Sequence, residues 1–290
     1  MVDEQVAIPL TARLALGRAA VQVLAGDAGV QVLHIKGNAI DPSLRPIARS
    51  GTDIDLLARP SQLAVLDRAL RHHGWDVYTS FEFGSPFGHA QTYWHDTWGY
   101  LDLHRLFPGI RLEPELAFKT LWRDHTSLEV GGVTCDVPAA PAQALILILN
   151  SARSGGVAGS DLEHAWREWS PQLRAEVRRL VAALDAPTAF AAAFGRLTEA
   201  ASERDYELWR VITLGGSRID EWRARVVAAP TRAAALKIIL RAPRVNKEKL
   251  SHELGHTPSA RDIAGALVGR AVQAARELFV MARGGVRGRR

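Results

Sequence analysis

Apolar positions along the first 140 residues follow two rhythms in turn. Leu14, Leu16, Ala20, Val21 and Leu24 keep a helical period, which predicts a helix over 10–28 closed by Gly26 and Gly29. The run Val30-Gln31-Val32-Leu33-His34-Ile35 is rich in β-branched residues and predicts a strand. A second strand is expected over 54–57, ending before Pro60. Leu63, Leu66, Ala69 and Leu70 then mark a helix over 61–73, with Ser61 as its cap and Gly74 as its stop. Strands follow at 75–78, 91–94 and 100–104, the last two joined by the turn 95–99. Residues 127–136 read as a hairpin around Gly131-Gly132.

The rhythm changes after Pro138. A helix is expected to start at Pro141, and helical spacing continues through 161–184, 187–200, 203–213, 217–240 and 258–283. Breaks are expected at Gly155-Gly156, Pro171, Pro187, Gly215-Gly216 and Pro243. The succession predicts an α/β (α+β) unit with a small mixed sheet over 1–140 and a mainly helical unit over 141–282. The Gly/Arg-rich end, 283–290, is expected to lack fixed structure. No repeat of 20–50 residues is present.

Composition narrows the class. At 290 residues with 47% hydrophobic and 23% charged positions, the chain is long enough to bury a full core. The single cysteine, Cys135, excludes an internal disulfide framework and a Cys-rich zinc module. No apolar run reaches the ~18–20 residues of a membrane span, and the start of the chain lacks a secretory pattern; a cytoplasmic protein is expected. The net charge of +5 is uneven. Residues 1–140 carry 12 Lys+Arg and 16 Asp+Glu, whereas 141–290 carry 24 and 15. A basic helical half fits either nucleic-acid or phosphate partners, or merely solvated helix faces.

The segment that carries chemistry is Asp53-Ile54-Asp55-Leu56-Leu57. Strand alternation puts both carboxylates on one face and Ile54 and Leu56 on the other. Two adjacent carboxylates repel unless a cation lies between them, and hard oxygen donors suit Mg²⁺. The bland alternative is a chance D-x-D at a strand end. Two features strengthen the metal reading. Upstream, Lys36-Gly37-Asn38 ends a strand with a glycine, where backbone can approach phosphate. Downstream, Leu101-Asp102-Leu103-His104 sets a third aspartate on a strand.

The order Lys36-Gly37, Arg49, Asp53-Ile54-Asp55-Leu56-Leu57, Gly74-Trp75 and Leu101-Asp102-Leu103-His104 resembles the uncharacterised nucleotidyltransferase family of the polymerase-β superfamily. The likeness is concentrated in residues 30–106. It implies a polymerase-β-like core and transfer of an NMP from an NTP to an acceptor hydroxyl. It further implies Mg²⁺ or Mn²⁺ held by Asp53, Asp55 and Asp102 in two-metal catalysis. Lys36, Gly37, Asn38 and Arg49 would be nucleotide-binding. The wider superfamily has Gly-Ser where this chain has Gly37-Asn38, which puts that phosphate contact in question. The acceptor, whether RNA, protein or small metabolite, is left open. So is a catalytically inactive, antitoxin-like regulatory protein that keeps the fold.

Other residues weigh less. Lys36 is either a phosphate contact or a structural lysine, and Arg49 either a phosphate contact or an ion-pair partner of Asp53, with Arg45 a weaker candidate. His72, His73, His89, His95 and His104 show no zinc-ligand spacing. Trp75, Trp94, Trp98 and Trp122 read as core aromatics or base-stacking candidates. The tract 81–88 reads as a flap or an ordinary loop. Asp161 and Glu163 open a helix after the loop Ser154-Gly155-Gly156, where an N-cap is sufficient explanation.

Overall fold

The computed structural model describes residues 8–44, 51–153, 160–242 and 244–287. Arg45, Arg49 and the Ser154-Gly155-Gly156 loop lie outside the described residues. The first half comprises α1 (Leu10–Asp27), β1 (Val32–His34), β2 (Asp53–Ala58), α2 (Leu63–His72), β3 (Asp76–Thr79), β4 (Ala90–His95) and β5 (Gly99–His104). Then come α3 (Pro114–Arg123) and a separate hairpin of β6 (Thr126–Val130) and β7 (Val133–Val137). The main sheet has the order β1-β2-β5-β4-β3, in which only β2 and β5 are parallel. It is the small mixed sheet expected of an α/β fold.

Helices follow: α4 (Ala140–Arg153), α5 (Ser160–Glu168), α6 (Pro171–Ala183), α7 (Pro187–Ala193), α8 (Tyr206–Leu214), α9 (Arg218–Val227), α10 (Arg232–Arg241), α11 (Lys247–Leu254) and α12 (Ala260–Arg287). The helical assignment of α12 reaches into 283–290, the stretch expected from sequence to lack fixed structure.

Local chemistry explains where the elements depart from expectation. Ser61 does not cap α2. It lies in a 3₁₀ turn, Pro60–Gln62, and its backbone N–H is taken by Glu115 of α3. The stretch expected to be one helix over 217–240 is two. Pro230 interrupts it, and the Thr231 side chain caps α10 by accepting from Ala234 N–H. Gly215 ends α8, and a capping box of Ser217 and Asp220 starts α9. α3 starts on Glu113-Pro114, an acidic cap followed by proline at the first helical position.

The sheet separates two cores. Ile54, Leu56, Ala58, Leu101 and Leu103 pack with Leu14, Val21 and Ala25 of α1 and with Leu66 and Leu70 of α2. On the other face, Leu33, Ile35 and Leu57 join a larger cluster with Phe107, Phe118, Leu145, Leu149 and Trp209. The helices after Pro138 therefore share a core with the sheet. Gly109 shows how tightly: at φ +95, an added Cβ would lie 2.5 Å from Ala189 Cβ of α7. Gln143 ties the same helices to the segment after β1. It accepts from Asp41 N–H (2.7 Å) and donates to the Pro138 carbonyl (2.7 Å).

His34, buried in β1, donates from Nε2 to Gln22 Oε1 (3.1 Å). Burial, and then the nearby Arg18 charge, lower its pKa to about 3. The folded chain thus holds this imidazole neutral while the unfolded chain protonates it near pH 6.5. The stability tied to that difference is complete above pH 6.5 and is lost as pH falls toward 3. Urea titrations at pH 7.5 and 5.5 will show a loss that His34→Gln reduces by about 1.4 kcal/mol. An identical loss in both proteins would refute the assignment.

Candidate active site

The parallel pairing of β2 with β5 sets Asp55 opposite Asp102 and Leu57 opposite His104. Ile54, Leu56, Leu101 and Leu103 are committed to the α1/α2 core. Strand alternation therefore turns Asp53, Asp55, Asp102 and His104 to the face shared with α4. One atom each of Asp55, Asp102 and His104 lies within 4.8 Å of the others. Asp53 is outside that tight trio but within electrostatic reach. Burial first, then the charges of Asp55 and Asp102, raise its pKa above the ordinary aspartate value. Asp102 accepts a hydrogen bond from Thr92 Oγ1 of β4 (2.6 Å).

Asp55 is the centre of the group. It is buried, paired with the Lys36 ammonium, and accepts from His104 Nε2–H (3.0 Å). Burial alone would raise its pKa. Lys36 and the His104 hydrogen bond outweigh burial and hold the carboxyl below the usual range. Both contacts fall on Oδ1, and no described residue donates to Oδ2.

Lys36 reaches this carboxylate from a strained backbone, φ 118 and ψ −178. That region is essentially reserved for glycine and costs on the order of 1–3 kcal/mol. Gly37 follows at φ +57. A Cβ there would also meet Arg18 Nη2 at 2.5 Å, so a larger residue would have to displace that guanidinium as well as strain the backbone. Asn38 is exposed on the following 3₁₀ turn. Gly51 brings the chain back beside Gly37 and Asp53.

Arg18 is the residue that sequence reading missed. It sits on the buried stripe of α1 with Leu14, Val21 and Ala25, is only 2% exposed, and has Nε and Nη1 without partners among the described residues. Burial lowers its pKa, and the pull of Asp55 and Asp53 opposes this without cancelling it. The available signal was an arginine at i+4 from Leu14 on an apolar helix face.

α4 contributes a third cation. Arg153 Nη1 donates to His89 Nε2 (3.0 Å), and its charge is felt by Asp55 and Asp102. Burial, followed by the charges of His104 and Arg153, keeps His89 neutral, so its Nδ1–H donates to Ser85 Oγ. The His89 ring lies 5.0 Å from that of His104. Lys36, Arg18 and Arg153 thus approach one set of carboxylates from the turn after β1, from α1 and from α4.

The remaining candidates fall elsewhere. His73 donates to Ala69 O at the end of α2, as a dipole-complementing cap does. Trp75 is core, and Trp122 stacks on Phe118 and His125. Burial pushes the Cys135 thiol up to about 11, which removes it as a nucleophile. Glu163 pairs with Arg167 on α5 (3.0 Å).

The donor set fits a hard divalent cation. Asp53 carries a repulsion from two neighbouring carboxylates that Lys36 and Arg18 offset only in part, and Asp55 Oδ2 has no donor among the described residues. His104 spends Nε2 on Asp55, which makes it an orienting group for that carboxylate.

No family model matches the chain, and no curated protein matches it in sequence. Among solved structures, the lincosamide antibiotic adenylyltransferase LnuA aligns at 15% identity and TM-score 0.33, covering 57% of this chain and 94% of LnuA. The antibiotic-resistance factor ANT(2'')-Ia aligns at 13% identity and TM-score 0.37, covering 67% of this chain and 96% of that one. A tRNA-processing enzyme aligns at 14% identity and TM-score 0.28, covering 86% and 78%. At these identities and scores, the functional reading rests on the carboxylates themselves.

Proposed function

We propose that this chain transfers an NMP from an NTP to an acceptor hydroxyl with divalent-metal assistance. The observation that carries the reading is the row Asp55–Asp102 across parallel β2 and β5, with Asp53 on the same face and cations at its border. Asp53, Asp55 and Asp102 would hold Mg²⁺ or Mn²⁺. Such ions, when bound, neutralise charge on the α-phosphate oxygens and acidify the attacking hydroxyl.

In the transfer, the acceptor oxygen bonds to the α-phosphorus and the bond from that phosphorus to the β-bridging oxygen breaks. Pyrophosphate leaves, and the hydroxyl proton passes by way of Asp102 to solvent. Lys36 holds Asp55 ionised, and His104 fixes its orientation. Arg18 turns Nη2 toward the Gly37 turn and has Nε and Nη1 without partners among the described residues, so its guanidinium is a candidate to take a phosphate oxygen. Gly37 and Asn38 would offer the backbone approach beside it, and Arg49 is proposed for the same phosphates.

One observation favours an inactive, binding or antitoxin-like protein instead: Asp55 Oδ1 is already neutralised by Lys36. Incubating the purified chain with Mg²⁺, each α-labelled NTP and a cell lysate separates the two. Label on an acceptor, with pyrophosphate released, supports transfer. Nucleotide binding without label on any acceptor supports the inactive reading.

A further inference from the structure

A second constellation lies apart from the carboxylates. A cavity of about 590 Å³ opens between the 81–88 segment and helices α9–α12. Seven Lys and Arg residues line it against two carboxylates, Glu82 and Glu221. Both carboxylates are already engaged, Glu82 with Arg241 (2.7 Å) and Glu221 with Arg225 (3.6 Å). Arg218 has no carboxylate partner among the described residues, and Arg225 Nε is buried without an acceptor. Arg105 and Arg270 donate to the carbonyls of Gly88 and Arg244, neutral acceptors that do not cancel a charge.

Like charges held together in this way cost free energy. Burial, and then the charge of Arg241, lower the pKa of Arg105. Burial, and then Arg218, do the same to Arg270. Two aromatic faces brace the cluster: Arg105 lies over Phe81 (4.8 Å) and Arg225 over Trp222 (4.2 Å). A guanidinium stacked on a ring keeps its N–H edge available for a planar or tetrahedral oxyanion.

We propose that this cavity seats the phosphate groups of a small phosphorylated molecule. On the transferase reading above, that molecule is the acceptor. The charge excess calls for a ligand bringing two or more negative charges in little space, and one phosphate supplies about −1.5 to −2 with three acceptor oxygens. The volume selects a small molecule over a polymer, since small-ligand sites span roughly 300–1,000 Å³. The wall also leads to the carboxylates. Ser85 and Gly88 line the cavity, Ser85 is bonded to His89, His89 packs on His104, and His104 holds Asp55. Arg105 directly follows His104 in the chain.

The test is calorimetric titration of the full chain with inorganic pyrophosphate in EDTA, where the carboxylate site lacks metal and repels anions. Pyrophosphate will bind at least about tenfold more tightly than malonate. Arg218→Gln/Arg270→Gln will weaken pyrophosphate about tenfold or more, with the circular dichroism spectrum unchanged and the melting temperature not lowered. Asp53→Asn/Asp102→Asn will leave it within about threefold. Failure of the wild-type chain to bind, equal binding by the double-arginine variant, or malonate binding as well as pyrophosphate overturns the site. Binding of a single-stranded RNA that depends on the same arginines, with pyrophosphate not bound, overturns it in favour of nucleic acid. The label-transfer assay is independent: its failure removes the acceptor role and leaves the anion site standing.

Discussion

On the proposed transfer, Asp53→Asn, Asp55→Asn and Asp102→Asn are each expected to lower NMP transfer about a thousandfold or more, and the three part company in stability. A thousandfold corresponds to about 4 kcal/mol of transition-state stabilisation, a reasonable share for one metal-holding carboxylate. Asp55→Asn also destabilises the fold. It strands the Lys36 ammonium, only 13% exposed, beside a neutral amide, and breaking a buried pair costs about 3–5 kcal/mol. Asp102→Asn keeps an oxygen to accept from Thr92 Oγ1 and leaves stability nearly unchanged. Asp53→Asn goes the other way. Its ionised form is penalised by burial, Asp55 and Asp102, so losing that charge raises stability at neutral pH. Label transfer and urea denaturation on the same preparations read both axes. Any of the three retaining transfer within about tenfold of wild type removes that carboxylate from the reaction.

The carboxylate row could be read from sequence because strand alternation is a local rule. D-I-D-L-L and L-D-L-H each place aspartate against leucine with period two, and the β2/β5 register makes the two patterns coincide. The cations around the row were less legible. Lys36 stood out beside Gly37, yet its engagement with Asp55 depends on a backbone twist that no propensity encodes. Arg153 lies on α4, far along the chain from Asp102, and reaches the site only because α4 packs on the sheet face of Leu57. On α1 the expected stripe included Leu16, which is 44% exposed, and omitted Arg18, which is buried. An arginine on an apolar stripe reads as a polar face, so the helix phase was displaced. The cationic cavity was hidden for a related reason. The basic excess after residue 140 is visible in composition, but which arginines converge depends on how α9 to α12 pack.

Arg18→Met should make the chain more stable and the proposed enzyme worse. The guanidinium is buried with Nε and Nη1 lacking acceptors among the described residues, and unmet donors of this kind cost about 1–3 kcal/mol. Asp55 and Asp53 attract it, but its pKa still lies below the ordinary arginine value, so desolvation outweighs that attraction in the folded chain. A methionine of similar length fills the same space between α1 and the Gly37 turn without a charge to desolvate. A residue retained at such a cost is explained if a ligand completes it. A phosphate oxygen beside Gly37 would accept from this guanidinium, whose Nη2 faces that turn, and a charge-assisted hydrogen bond in a buried site is worth about 1.5–3 kcal/mol. The expected result is a fall in kcat/KM for NTP of about 100-fold, carried mainly by KM, with a rise in the urea midpoint. Arg18→Lys should recover part of the loss, since it restores the charge but not the fork. A variant that is less stable than wild type, with kcat/KM for NTP unchanged, would show that Arg18 serves the fold alone.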